Sequence, residues 1–143
     1  MIAEGAAALV LEDLEHARAR GARVYAEVRG WGAAGDAYHM TAPRADGDGA
    51  LRAMRSALRE AGVDVDEVDY INAHATGTRV GDGAEALAIK ELTGGREVAV
   101  SATKGATGHL LGASGALEAM FTVLAIHEVS ALGLGLGGFC VLC

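Results

Sequence analysis

Bulky side chains are scarce in this chain. Aromatic residues fill 4% of its 143 positions, so a core must be built from Ala, Val, Leu and Ile at close backbone approach. Cysteine occurs only twice, as Cys140 and Cys143, which excludes a disulfide scaffold and points to a reducing compartment. Their C-x-x-C spacing has no second pair elsewhere, so it reads as neither a redox pair nor half of a metal site. Positive charge is in the minority: 12 Lys and Arg stand against 19 Asp and Glu, a net −7 at pH 7. That balance excludes a non-specific nucleic-acid binder, which needs a basic face. Long apolar runs are missing as well. The uncharged stretch from Val129 to Cys143 is short and rich in glycine, whereas a membrane span needs about 20 apolar residues. No basic leader opens the sequence, because Met1-Ile2-Ala3 meets the Glu4 carboxylate at once.

What is present is the composition of a folded chain, with 51% hydrophobic and 22% charged residues. The length suits one domain, which would bury about two-thirds of its unfolded surface. Ala6 to Leu11 is an apolar run that reads as a buried strand. Asp13 to Arg20 reads as one or two helical turns stopped by Gly21. Arg23 to Arg29 alternates, with Val24, Ala26 and Val28 on one side, and predicts a strand with one wet face. Gly30 to Gly49 holds five glycines and the only proline, Pro43, and reads as a long loop. A helix follows, capped by Asp46 or Asp48, with Leu51, Met54, Leu58 and Ala61 on one stripe and Gly62 as its stop.

Val68 to Ala73 and Glu97 to Ser101 read as strands, and Val98-Ala99-Val100 suggests burial on both faces. Between them lies a helix from Asp82 to Thr93, with Asp82 and Glu85 spaced as a capping box. A last helix runs from about Gly112 to His127, with Leu117, Met120, Phe121 and Leu124 as its apolar stripe. The segment Leu132 to Gly138 alternates Leu and Gly and is open between strand and loop. Strands alternating with helices predict an α/β fold with a mostly parallel sheet.

Two segments join a strand end, a glycine-rich turn and a polar cluster. The first is Asn72-Ala73-His74-Ala75-Thr76-Gly77-Thr78, followed by Gly81-Asp82-Gly83-Ala84-Glu85. The second is Ser101-Ala102-Thr103-Lys104-Gly105-Ala106-Thr107-Gly108-His109, followed by Gly112-Ala113-Ser114-Gly115 and Glu118. Both lie past the carboxyl end of a strand, where open α/β sheets place ligands. Taken singly, each residue has a structural reading. His74 and His109 can be hydrogen-bonded structure, Thr76 and Thr78 turn caps, Lys104 a solvated charge, and Asp82 and Glu85 helix caps. Neither a P-loop nor a strand-linked dinucleotide fingerprint is present.

Taken together, the two segments resemble the C-terminal half of the β-ketoacyl-ACP synthases, the condensing enzymes of the thiolase superfamily. The family carries Asn-Ala-His-Gly/Ala-Thr-x-Thr, then Gly-Asp-x-x-Glu, then a lysine and a Gly-His-x-x-Gly-Ala turn ahead of a glutamate. The resemblance extends to Glu4-Gly5-Ala6 through Leu11-Glu12 and to Asp36-Ala37-Tyr38-His39-Met40-Thr41-Ala42-Pro43, and runs in order from Ile2 to Ile126. The His74-Ala75-Thr76 variant and the run from Thr103 to Gly112 look most like the mitochondrial form, with the bacterial type II elongating form close behind.

This resemblance implies a thiolase-like fold, here an incomplete C-terminal half of an αβαβα architecture. It divides the chain into residues 1–30, the end of the N-terminal synthase half, residues 31–127, a partial C-terminal domain, and residues 128–143, a divergent Gly/Leu tail. In that tail Leu134 to Gly138 faintly echoes a glycine-rich family turn, a frameshifted or spliced end being the alternative. The implied reaction joins an acyl thioester to malonyl-ACP with loss of CO₂. His74, His109 and Lys104 are then the catalytic set, and Thr76 and Thr78 bind phosphopantetheine, which arrives on the acyl carrier protein. Asn72, Glu118, Asp82 and Glu85 are structural or hold a monovalent cation; no other metal and no resident cofactor is implied. The family's nucleophilic cysteine lies at a helix N-terminus in the other half, and neither Cys140 nor Cys143 sits in such a motif. The chain alone is therefore expected to be inactive, a non-catalytic partner of full-length synthase or a misfolding truncation being the alternatives. A homodimer, a mitochondrial matrix location or a bacterial cytoplasm complete what the resemblance implies.

Overall fold

The structure, a computed structural model, describes residues 1–131 and 139–142. The order of elements is α1 (Leu14–Ala19), α2 (Asp48–Ala61), β1 (Val68–Asn72), α3 (Arg79–Leu92), β2 (Ala99–Ser101), α4 (Lys104–Thr107), α5 (Ser114–Ala131) and β3 (Phe139–Leu142). Short 3-10 turns precede β1 and α5. The sheet has the order β2-β1-β3 and is parallel throughout, as strand–helix alternation requires. The expected strand or loop from Leu132 to Gly138 lies outside the described residues.

β1 is the centre of the molecule. Val68 and Ile71 are fully buried, each worth about 1.5–3 kcal/mol of apolar transfer, and they pack with Leu51 and Met54 of α2, Ala88 and Leu92 of α3, and Val141 of β3. The α2 stripe read from the sequence thus faces the core at Leu51 and Met54, with Leu58 partly buried. The helix stops at Gly62, whose φ of +63° suits a residue without Cβ. Its start differs from expectation. Gly47 is the cap residue, in the left-handed region at φ +69°, and a Cβ there would lie 2.2 Å from the Ala84 carbonyl oxygen of α3. Asp46 instead accepts the Asp48 amide, and Asp48 is the first helical residue.

Several expectations are corrected. Ala6 to Leu11 and Arg23 to Arg29 form no strands, and Val10, Leu11 and Val28 are exposed. A strand needs a neighbour to take its amides, and among the described residues none lies alongside these two segments. β2 is exposed rather than buried on both faces, with Val100 46% accessible, because no helix covers its outer edge among the described residues. α3 starts at Arg79, three residues early, with no side-chain cap, because the carboxylates of Asp82 and Glu85 are drawn to the preceding loop. A true capping box occurs instead at Asp64 and Glu67, ahead of β1.

α5 departs furthest from its predicted pattern. Among its described side chains the buried ones are Ser114, Glu118 and Thr122, a polar row at i, i+4, i+8, while Leu124 of the expected apolar stripe is 42% exposed. The row is buried because each member meets a polar partner beneath it. The stretch from Gly30 to Gly49, expected as a loop, is one as far as Gly47, and α2 takes its last two residues. Its start lies flat on α2: a Cβ on Gly32 would sit 2.1 Å from the Ala53 carbonyl oxygen, so backbone meets backbone there.

Candidate active site

The first arm of the site leaves the carboxyl end of β1. Asn72 is fully buried, and its Nδ2 donates to the Glu118 carbonyl (3.1 Å) and to Thr122 Oγ1 (2.9 Å), tying β1 to α5. The chain then bends through His74 and Ala75, the latter at φ +31°, a costly conformation for a residue with Cβ. The Glu85 carboxylate holds that bend by accepting the amides of His74 (2.6 Å) and Ala75 (2.8 Å). Asp82 Oδ1 accepts the amides of Gly77 and Thr78 in the same manner. Both acids therefore brace the loop rather than cap α3. Thr76 and Thr78 bring their hydroxyls within 3.2 Å of each other.

The second arm runs from β2 through α4 to α5. Lys104 and Glu118 are both buried, at 7% and 2% exposure, and form an ion pair of 2.5 Å, so each charge has its counter-charge in the interior. His109 is fastened at its backbone by the N-terminal segment: its amide donates to the Met1 carbonyl and its carbonyl accepts the Ala3 amide, both at 2.9 Å. Gly108 lies under that segment, and a Cβ there would meet Ala3 Cβ at 2.6 Å. On the ring, Nδ1 lies 2.9 Å from Ser114 Oγ, and the Leu111 amide donates to it over 3.3 Å.

The two arms bring the imidazoles together. The rings of His74 and His109 are 5.3 Å apart, centroid to centroid, and nearly perpendicular at 89°. Partial burial lowers the pKa of His74, and the positive Lys104 nearby lowers it further, outweighing the opposite pull of Glu85. The ring is thereby kept neutral at neutral pH, able to donate one N–H to an oxygen that gains negative charge.

All nine residues singled out from the sequence gather at these two arms. Two that belong with them were missed as site members: Ser114, seen only as part of a glycine turn, and Thr122. The signal was the spacing Ser114-Glu118-Thr122, the polar residues of α5 as far as Ile126, all others there being glycine or apolar. Cys140 lies in β3, away from the sheet's carboxyl-end loops, and burial pushes its thiol up to about 11 with help from Asp69, the opposite of an activated nucleophile. Among the described residues no group of three His, Cys, Asp or Glu is placed to hold a metal. Asn72 Oδ1 is buried without a hydrogen-bond partner.

Comparison with known proteins gives these arms a family. The β-ketoacyl synthase, C-terminal domain family matches residues 25–131. The mitochondrial 3-oxoacyl-[acyl-carrier-protein] synthase of Arabidopsis thaliana is 54% identical over 133 residues, covering 90% of this chain and 29% of that protein. The 3-oxoacyl-[acyl-carrier-protein] synthase 2 of Rhizobium meliloti (strain 1021) is 54% identical over 130 residues, covering 90% and 31%. Among solved structures, a type II polyketide acyl carrier protein in complex with its hexaketide-bound ketosynthase aligns with a TM-score of 0.79 at 38% identity, covering 82% of this chain and 29% of that one. The chain thus spans under a third of the length of these relatives. Its motifs, its parallel sheet and its paired histidines agree with one conclusion: this chain belongs to the β-ketoacyl synthase family, of thiolase-like fold, and carries part of the C-terminal domain.

Proposed function

We propose that this chain supplies the decarboxylating half of a 3-oxoacyl-ACP synthase, which joins an acyl thioester to malonyl-ACP with release of CO₂ in fatty acid synthesis. The observation that carries this reading is the perpendicular pair His74 and His109, 5.3 Å apart, with a buried Lys104–Glu118 pair adjoining it. Loss of CO₂ from the malonyl group leaves its electron pair on the α-carbon and the thioester oxygen. Two imidazole N–H donors aimed at that oxygen stabilise the enolate, each worth about 3 kcal/mol. The carbanion then attacks the acyl thioester carbonyl, and the thiolate of a cysteine outside these 143 residues leaves.

Burial first and Lys104 second lower the pKa of His74, so Lys104 acts at a distance, as a fixed charge that favours the neutral ring. Thr76 and Thr78 are assigned to the amides of the phosphopantetheine arm, and the partner is an acyl carrier protein, in keeping with the carrier-bound ketosynthase among the structural neighbours. A monovalent cation fits one observation, the unpartnered Asn72 Oδ1, with Glu118 as second ligand, although one Glu118 oxygen is already taken by Lys104. Its role would be to tie β1 to α5. The working protein is proposed as a dimer in a mitochondrial matrix or bacterial cytoplasm, given mitochondrial and bacterial relatives.

A second reading has its own support. Val10, Leu11, Val28, Trp31 and Met40 are each at least 70% exposed, more apolar surface than a free domain carries comfortably. On that reading these 143 residues work only when covered by further protein. The test is carrier-protein condensation by the 143-residue chain and by the protein extended to the relatives' length. Product from the extended protein alone supports the proposal; turnover by the 143 residues would overturn it.

A further inference from the structure

Among the described residues, Ser114 is the hydroxyl hydrogen-bonded to the ring of His109. Its oxygen, on the first residue of α5, accepts the Leu110 amide at 2.8 Å. That bond occupies one of its two lone pairs and leaves the O–H able to turn toward His109 Nδ1, 2.9 Å away, so the state of Nδ1 decides the direction of the contact. Nδ1 already faces the Leu111 N–H at 3.3 Å, and a proton on Nδ1 would set two N–H hydrogens against each other. Nδ1 is therefore an acceptor, and the ring's only proton lies on Nε2. Ser114 is also 4% exposed, so water does not compete for the hydroxyl.

We infer that Ser114 is a positioning residue that locks His109 in the Nε2–H tautomer, so that the ring presents a donor to the developing enolate oxygen. This rests on the decarboxylation reading above for its purpose, though the tautomer itself is independent of any reaction. The Leu111 amide alone holds Nδ1 loosely, because 3.3 Å is a long hydrogen bond. The hydroxyl supplies the short contact and also fixes the ring's rotation, because Ser114 is anchored at the start of an 18-residue helix. Nothing in its spacing alone separates this serine from a small residue chosen to fit a glycine-rich turn; the two bonds to Leu110 and His109 do.

The experiment is ¹⁵N NMR of the histidine-labelled protein carrying this chain, with His109 assigned by its loss in His109→Gln, together with malonyl-ACP decarboxylation. In the unmodified protein Nδ1 is expected to show the shift of an unprotonated acceptor and Nε2 that of a protonated nitrogen. Ser114→Ala should move both toward values averaged between the tautomers and lower kcat about fivefold with KM unchanged, the worth of one neutral hydrogen bond. Ser114→Thr, which keeps the hydroxyl, should restore both. A protonated Nδ1 in the unmodified protein overturns the inference without any variant, as does an unchanged His109 spectrum in Ser114→Ala. If the spectra change as expected while His109→Gln leaves decarboxylation intact, the tautomer lock stands and the proposed function fails.

Discussion

His74 and His109 come from loops 35 positions apart in sequence, yet their rings meet at 5.3 Å and 89°. Each histidine is held by a different element. Glu85 of α3 holds the backbone of His74, and Ser114 of α5 holds the ring of His109. The pair is thus a product of two helices packed around one strand, β1, whose carboxyl end supplies the first arm.

The neutrality of His74 is testable by pH. Burial first, and Lys104 second, lower its pKa from the ordinary value near 6.5. The folded chain then binds fewer protons than the unfolded chain below that value. The contribution to stability is full above about pH 6.5 and fades as pH falls toward the folded pKa. A proton NMR titration should place the His74 midpoint below about 6.5, and Lys104→Gln should move it upward. A midpoint at or above the ordinary value would contradict the assignment.

The Lys104–Glu118 pair should behave as a buried ion pair. Lys104→Met leaves a carboxylate in the interior and is expected to cost about 3–5 kcal/mol in urea unfolding. Adding Glu118→Leu should recover most of that loss, because no orphaned charge remains. Two additive losses would show that the residues do not depend on each other.

Glu85 should matter more to rate than to binding. Glu85→Gln keeps an acceptor for one of the two amides and turns an N–H toward the other, so the His74–Ala75 bend loosens. Malonyl decarboxylation is expected to fall about ten- to a hundredfold in kcat through the displaced ring. An unchanged kcat would mean that the bend holds without its carboxylate.

Much of this site was legible because its chemistry lies in contiguous motifs. His74, Thr76 and Thr78 sit in one run and Lys104 and His109 in another, and helix stops such as Gly62 follow local rules. What was not legible depended on partners distant in sequence. Asp82 and Glu85 have the spacing of a capping box, but the amides they accept belong to residues 74–78, so the local rule lost to the loop. The periodicity of α5 favoured Leu117 and Leu124, whereas Asn72, Lys104 and His109 draw Ser114, Glu118 and Thr122 inward. Ala6 to Leu11 and Arg23 to Arg29 have strand-like patterns, yet pattern alone cannot supply a neighbouring strand.

The packing of the 30–32 segment on α2 gives a prediction remote from the site. Gly32→Ala would push Cβ against the Ala53 carbonyl and the Ala57 amide, both backbone atoms that cannot rotate away. The segment must lift from the helix, at about 1–3 kcal/mol of overpacking, read as a lower thermal midpoint. An unchanged midpoint would mean that this contact is not part of the stable fold.

The most direct measurement is CO₂ release from malonyl-ACP by the protein carrying this chain, with His74→Ala and His109→Ala compared singly. Two donors on one developing oxygen predict that each substitution lowers the rate by about 10²–10³-fold. A loss below tenfold at both positions would show that the paired imidazoles do not carry the decarboxylation.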